Sequence, residues 1–186
     1  MRENLHKKIF FLTQSFSGKK VGALAETSPY VIKRVMKLID KPLDSVVEYG
    51  AGTGVMTKAL LQKISPNGKL IAIESNPEFV KLLREINDDR LQVIEGLIQD
   101  QLLEESQGFS NVDLVVSSIP FSYLTTREKQ MVLLNTKKIL SSNGDLILFH
   151  QYRIATFLKL KKNFDDVSIF FEPRNIFPSF IFHAKK

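Results

Sequence analysis

Val46-Val47-Glu48-Tyr49-Gly50-Ala51-Gly52-Thr53-Gly54 decides how this chain is read. A short β-type run ends in an acid and an aromatic, then three glycines stand two apart, and Val55 opens a helical stretch. A strand followed by a glycine turn and a helix is the ligand-binding corner of an open α/β sheet, because glycine lets the backbone approach a ligand closely. Working outward, apolar strand candidates at 45–49, 69–74, 91–95, 112–117 and 145–150 alternate with helical stretches at 54–64, 77–87, 97–106, 126–140 and 153–161. Asn76-Pro77 starts a helix, and Ser141-Ser142-Asn143-Gly144 supplies turn chemistry after another. This alternation predicts a parallel sheet covered on both faces. Two further strands, 167–171 and 179–183, are joined by a link too short for a helical crossover and are expected to pair antiparallel. Ahead of the sheet, helices are expected at 3–17 and 28–40.

The chain has 186 residues, so a single domain at 1–186 is expected, with a basic N-terminal extension at 1–41 and an α/β core at 42–186. There is no cysteine, which excludes disulfides, thiolate catalysis and Cys-ligated metal; no metal site is expected. No apolar run approaches the ~18–20 residues of a membrane span, and Lys7 and Lys8 interrupt the early apolar stretch where a secretory signal would need continuity. A cytoplasmic protein is the expectation. The formal charge of +6 is unevenly placed. Residues 1–41 hold nine basic and three acidic side chains, so the whole excess sits there and the remainder is neutral. A basic segment on a neutral body suits an anionic partner, either lipid head groups or nucleic acid. In the 3–17 helix, Leu5, Ile9, Leu12 and Phe16 form one stripe, whereas Phe10 and Phe11 fall among Lys7, Lys8 and Gln14. That placement suits a helix dipping into an interface, with packing by its own domain as the competing reading.

The glycine spacing is G-x-G-x-G, not the G-x-G-x-x-G of dinucleotide enzymes, and Glu48 before the turn suits a ligand carrying an ammonium and a sulfonium better than a pyrophosphate. Glu48-x-Gly50-x-Gly52-x-Gly54 resembles the cofactor loop of class I S-adenosylmethionine-dependent methyltransferases. The resemblance implies a Rossmann-like, seven-stranded, mostly parallel sheet with an antiparallel last strand and N-terminal helices. It implies S-adenosylmethionine as cofactor and S-adenosylhomocysteine as its product. The residues then expected to bind it are Glu48, Tyr49, Gly50, Ala51, Gly52, Thr53, Gly54, Glu74, Ser75, Gly96, Leu97 and Ser117. Glu74 closes the second strand about 20 residues after the loop, where an acid accepts from ribose hydroxyls. Leu97 stands where many relatives carry an aspartate for the adenine, so backbone groups, apolar walls, Gln99 or Asp100 are expected to substitute.

After the fourth strand, Ser118-Ile119-Pro120-Phe121 resembles the Asn/Asp/Ser-x-x-Pro-aromatic motif of amino-methylating enzymes. Ser118, Pro120, Phe121 and Tyr123 are therefore the candidate catalytic residues, with Ser118 orienting the amine and Tyr123 offering its face to a methylated ammonium. The motif is one residue away from that of RNA adenine-N6 dimethylases, whose C-terminal helical domain is not expected here. In length and in Phe16-Ser17-Gly18-Lys19-Lys20-Val21-Gly22-Ala23 the chain is similar to small bacterial phospholipid N-methyltransferases. That resemblance implies stepwise methylation of phosphatidylethanolamine towards phosphatidylcholine by a monomer held peripherally on an anionic membrane, with an RNA or protein acceptor as the alternative. Substrate and membrane contacts are expected from Lys7, Lys8, Phe10, Phe11, Lys19, Lys20, Tyr30, His150, Tyr152 and Arg153.

Overall fold

The computed structural model describes residues 27–101, 109–121, 124–151, 155–174 and 178–186. The 3–17 helix with Lys7, Lys8, Phe10 and Phe11, and also Lys19, Lys20, Tyr123, Tyr152 and Arg153, lie outside the described residues, as does the side chain of His150.

Strand β1 (Leu43–Tyr49) shows why the sheet is covered twice. Successive side chains point to opposite faces, and both sets are apolar: Val47 and Tyr49 join one core cluster, Leu43 and Val46 the other. Helices α1 (Pro29–Leu38) and α2 (Val55–Leu61) cover the second face with Val31, Val35, Met56 and Leu60. Behind β2 (Ile64–Glu74) comes α3 (Pro77–Arg84), whose Leu83 packs on Ala51 and Ala72. The first face receives α4 (Ile98–Gln101), which follows β3 (Leu91–Glu95), then α5 (Thr126–Ile139) after β4 (Val112–Ser117), and α6 (Ala155–Lys161) after β5 (Leu140–Gln151). Strands β6 (Asp166–Glu172) and β7 (Ser179–Lys185) complete one seven-stranded sheet of order β3-β2-β1-β4-β5-β7-β6. The first five strands pair parallel, and β7 runs antiparallel between β5 and β6, the hairpin the short link required.

Local chemistry sets the helix starts. Ser28 caps α1 ahead of Pro29, the Asn76 side chain accepts from Glu78 N at 2.9 Å ahead of Pro77, and Thr125 with Glu128 forms a reciprocal capping box on α5. Each such cap stabilises by about 1 kcal/mol.

Strands β2 and β5 start well before the apolar pattern suggests. Leu43 pairs with Ile64 and Ser45 with Lys69, while Val112 pairs with Leu140 and Leu114 with Asp145. In each case an S-x-N-G segment bulges out between two paired positions, so polar turn residues lie inside the span of a strand. Gly68 permits this: a Cβ there would stand 2.8 Å from the Asp44 carbonyl. The early start of β2 shortens α2 relative to the expected 54–64, and Gly54 takes a left-handed φ of 83° instead of a helical one. Lys41 bridges to Asp145 at 2.8 Å and ties the segment after α1 to the opening edge of the sheet.

Candidate functional site

The site lies at the carboxyl ends of β1, β2 and β4, which adjoin in the sheet and form the edge where open α/β sheets take ligands. Gly50, Gly52 and Gly54 have φ of 74°, 56° and 83°, a run that only glycine follows without strain. The turn is pinned from below by Gly50 N and Ala51 N donating to the Ile73 carbonyl at 2.8 and 3.3 Å. Gly50 is also crowded: a Cβ would lie 2.9 Å from both Ser118 Oγ and Ile119 Cγ1. At Gly52 a Cβ would meet nothing within 4 Å. The turn thus packs on the protein at its first glycine and faces open space at its second, as a cradle for a ligand would.

Two carboxylates border the turn. Glu48 occupies the same face of β1 as Val46, beneath α2, and is 1% exposed. An acid on an inward strand position is costly unless something compensates. Here Thr57, fully buried on α2, donates to Glu48 Oε2 at 2.6 Å. Burial nevertheless pushes the Glu48 carboxyl up to about 8; the Thr57 hydrogen bond opposes the rise and the charge on Glu74 adds to it. Glu74 behaves differently. Its Oε2 accepts from Gly52 N at 2.9 Å, and its Oε1 accepts from Ser75 N and Asn76 N, both at 2.8 Å. A carboxylate offers about four acceptor positions, so roughly one is left for a hydroxyl. Glu74 therefore clamps the glycine turn as much as it offers itself to a ribose.

The expected site residues divide. Glu48, Gly50, Ala51, Gly52, Thr53, Gly54, Glu74 and Ser75 come together around the turn, and Gly96 joins them by donating its N–H to the Glu74 carbonyl at 2.9 Å. Tyr49 brings only its backbone: its ring is 1% exposed in the core, with its hydroxyl 3.1 Å from Thr136 Oγ1, and burial raises its phenol above the usual range. Phe121 is likewise in the core at 2% exposure, whereas the catalytic reading expects an aromatic face open to a substrate. Ser118 is at the turn, with its N–H donating to the Tyr49 carbonyl at 3.1 Å and its hydroxyl to the Gly50 carbonyl at 2.5 Å. Its proton is thus committed to locking β4 on the glycine turn, and towards an amine it can act only as an acceptor. Ser117 is buried with its Oγ accepting from Ile119 N at 3.3 Å, and Pro120 is half-buried beside it.

Tyr30 lies apart. Its ring is covered by the Arg174 guanidinium at 4.6 Å, past the end of β6. That edge strand is four strand spacings from β1, roughly 19 Å. Leu97 contributes its carbonyl to the first turn of α4, accepting from Asp100 N and Gln101 N at 3.0 and 3.1 Å. Gln101, rather than Gln99 or Asp100, lies over Gly96, since a Cβ there would stand 2.6 Å from its amide nitrogen. Sequence reasoning missed Gln101 and Thr57. Nothing in the sequence marks Gln101, whereas Thr57 could have been found by asking which α2 side chain faces an acid on the covered side of β1.

Residues 47–146 match the family described as Methyltransferase domain. The ornithine lipid N-methyltransferase of Singulisphaera acidiphila is 30% identical over 177 residues, covering 91% of each chain. A probable ribosomal RNA small subunit methyltransferase A of Methanosarcina barkeri is 35% identical over 127 residues, 68% of this chain but only 39% of that protein. Among solved structures, the O-methyltransferase of Bacillus cereus, in complex with SAH, superposes with a TM-score of 0.70 at 16% identity, covering 90% of this chain and 88% of that one. The glycine cradle open at Gly52, the acid beneath it and the acid clamping it fit S-adenosylmethionine. The strand order, the cradle and these matches together place the chain in the class I S-adenosylmethionine-dependent methyltransferases.

Proposed function

We propose that this enzyme N-methylates an amine-bearing membrane lipid, with phosphatidylethanolamine, methylated stepwise towards phosphatidylcholine, as its substrate. The observation that carries the reading is the match of equal length to a lipid N-methyltransferase, in which neither chain has a large segment the other lacks. The cofactor supplies an electrophilic methyl on a sulfonium. The chain's own residues then have two tasks, alignment and desolvation. Alignment falls to the turn, which Ser118 and Glu74 lock to the neighbouring strands. Desolvation matters because an ammonium has no lone pair, and removing water lowers an amine's pKa. A peripheral mode of membrane contact is supported by α1. Its exposed positions include Lys33 and Lys37, with Arg34 half-buried beside them over the Phe170 ring. Each such cation contributes about 1 kcal/mol near an anionic bilayer. Among the described residues no helix is long and apolar enough to cross a membrane.

RNA methylation is the second reading, favoured by the Methanosarcina relative and by Ser118-Ile119-Pro120-Phe121. The core position of Phe121 counts against it, because a base needs an exposed aromatic face to stack on. The test incubates the protein with labelled S-adenosylmethionine and three acceptors in parallel: phosphatidylethanolamine vesicles, ornithine-lipid vesicles and a ribosomal RNA fragment. Label in the ethanolamine lipid supports the proposal. Label confined to ornithine lipid keeps the lipid class and replaces the head group, and label in RNA alone rejects both.

A further inference from the structure

Thr57 has no place in the expected cofactor loop, yet it is fully buried and its hydroxyl donates to Glu48, an acid buried under that loop. We propose that Thr57 is a positioning residue of the cofactor site: its hydroxyl holds the Glu48 carboxyl beside the start of α2 and favours the ionised form that the cationic cofactor requires. The inference rests on the cofactor and not on the choice of methyl acceptor.

The geometry carries it in three steps. Gly54 in a left-handed conformation starts α2 directly under the turn, and Thr57 is the third residue of that helix. Its side chain therefore points at the covered face of β1, which Glu48 shares with Val46 and which α2 covers with Met56, Leu60 and Leu61. Surrounded by such groups, Glu48 loses its hydration, and the hydroxyl at 2.6 Å is the group that stabilises its charge. Glu74, the charged group acting on it from the end of β2, repels that charge and cannot replace Thr57. The site is consequently proton-linked. With Glu48 largely neutral below about 8, a ligand bearing an ammonium must displace a proton to gain its partner. A threonine whose function is only to fill the space under the turn would leave this linkage unchanged on replacement by valine.

The experiment is titration calorimetry of the full chain with S-adenosylhomocysteine and with S-adenosylmethionine, between about pH 6 and 9 and in buffers of differing ionisation enthalpy. For the wild type, affinity should climb with pH by up to about tenfold per unit and level off near 8, with up to one proton released per ligand below that point. Thr57→Val should bind roughly tenfold more weakly near neutral pH, and its plateau should move upward by about one unit. Thr57→Ser should restore both. The proposal is overturned if Thr57→Val keeps the wild-type affinity and profile, or if Thr57→Ser is as impaired as Thr57→Val. If Thr57→Val does not fold by circular dichroism, the wild-type proton count and the serine variant decide, and a wild type that releases no proton on binding is itself a refutation.

Discussion

Gly50 and Gly52 are two residues apart in the same turn, and alanine at each should fail for a different reason. Both have left-handed φ, 74° and 56°, so either substitution carries a backbone cost of about 1–2 kcal/mol. At Gly50 the new methyl would also stand 2.9 Å from Ser118 Oγ and Ile119 Cγ1, and Ser118 cannot retreat without releasing the Gly50 carbonyl it donates to. Overpacking of that kind costs a further ~1–3 kcal/mol. In a chain of this length 1 kcal/mol moves Tm by about 2–4 °C. Gly50→Ala should therefore melt roughly 4–20 °C below the wild type. Gly52→Ala meets nothing within 4 Å, so its loss should stay at about 2–8 °C. Its methyl projects into the space a ligand on the turn would occupy, and S-adenosylhomocysteine affinity should fall by about tenfold or more, equivalent to ~1.4 kcal/mol or more. Differential scanning fluorimetry with and without the ligand reads both effects at once. If Gly52→Ala retains full ligand-induced stabilisation, or loses as much stability as Gly50→Ala, the assignment of one glycine to packing and the other to the ligand is wrong.

Other perturbations follow from the same geometry. For Glu48, the folded carboxyl sits well above its unfolded value of 4.5, so between 4.5 and about 8 the native state binds more protons and stability falls as pH rises. Glu48→Gln should remove that slope and gain on the order of 2–5 kcal/mol at pH 8 in the ligand-free protein, while binding cofactor poorly; thermal melts at several pH values test it, and an unchanged slope refutes it. Glu74→Ala strips acceptors from the N–H groups of Gly52, Ser75 and Asn76, and should cost about 2–4 kcal/mol by urea denaturation besides weakening nucleoside binding. Lys33→Glu with Lys37→Glu alters two exposed positions on α1. If α1 meets the membrane, co-sedimentation with anionic vesicles should drop about tenfold or more, with Tm moving by no more than a few degrees; unchanged sedimentation would remove α1 from the docking surface.

Strand and helix existence were legible because the signals are local. Apolar runs of strand length, Asn76-Pro77 and the glycine turn each act within a few residues, so chain order alone led to the alternation and to the antiparallel hairpin at the end. The strand boundaries that slipped furthest did so at Ser65–Gly68 and Ser141–Gly144, where turn-type residues bulge inside a strand because the neighbouring strand resumes pairing on the far side. Within the site, the glycine cradle and both acids could be read, but the directions of side chains could not. Tyr49 and Phe121 look like site residues by position, yet each faces a core built from distant helices.

What the amino-acid order determined is the strand-turn-helix corner, since glycines and an acid at fixed spacing constrain the backbone through short-range sterics, and the resemblance of that corner to a known family supplied its cofactor class. What tertiary structure alone decided is the electrostatic state of that corner. Glu48 becomes a reluctant acid only when α2 closes over it, and Thr57 becomes its partner only then. Glu74 becomes a clamp only once the turn between β1 and α2 is brought against the end of β2. Desolvation and hydrogen bonding depend on which surfaces meet, and no local pattern encodes that.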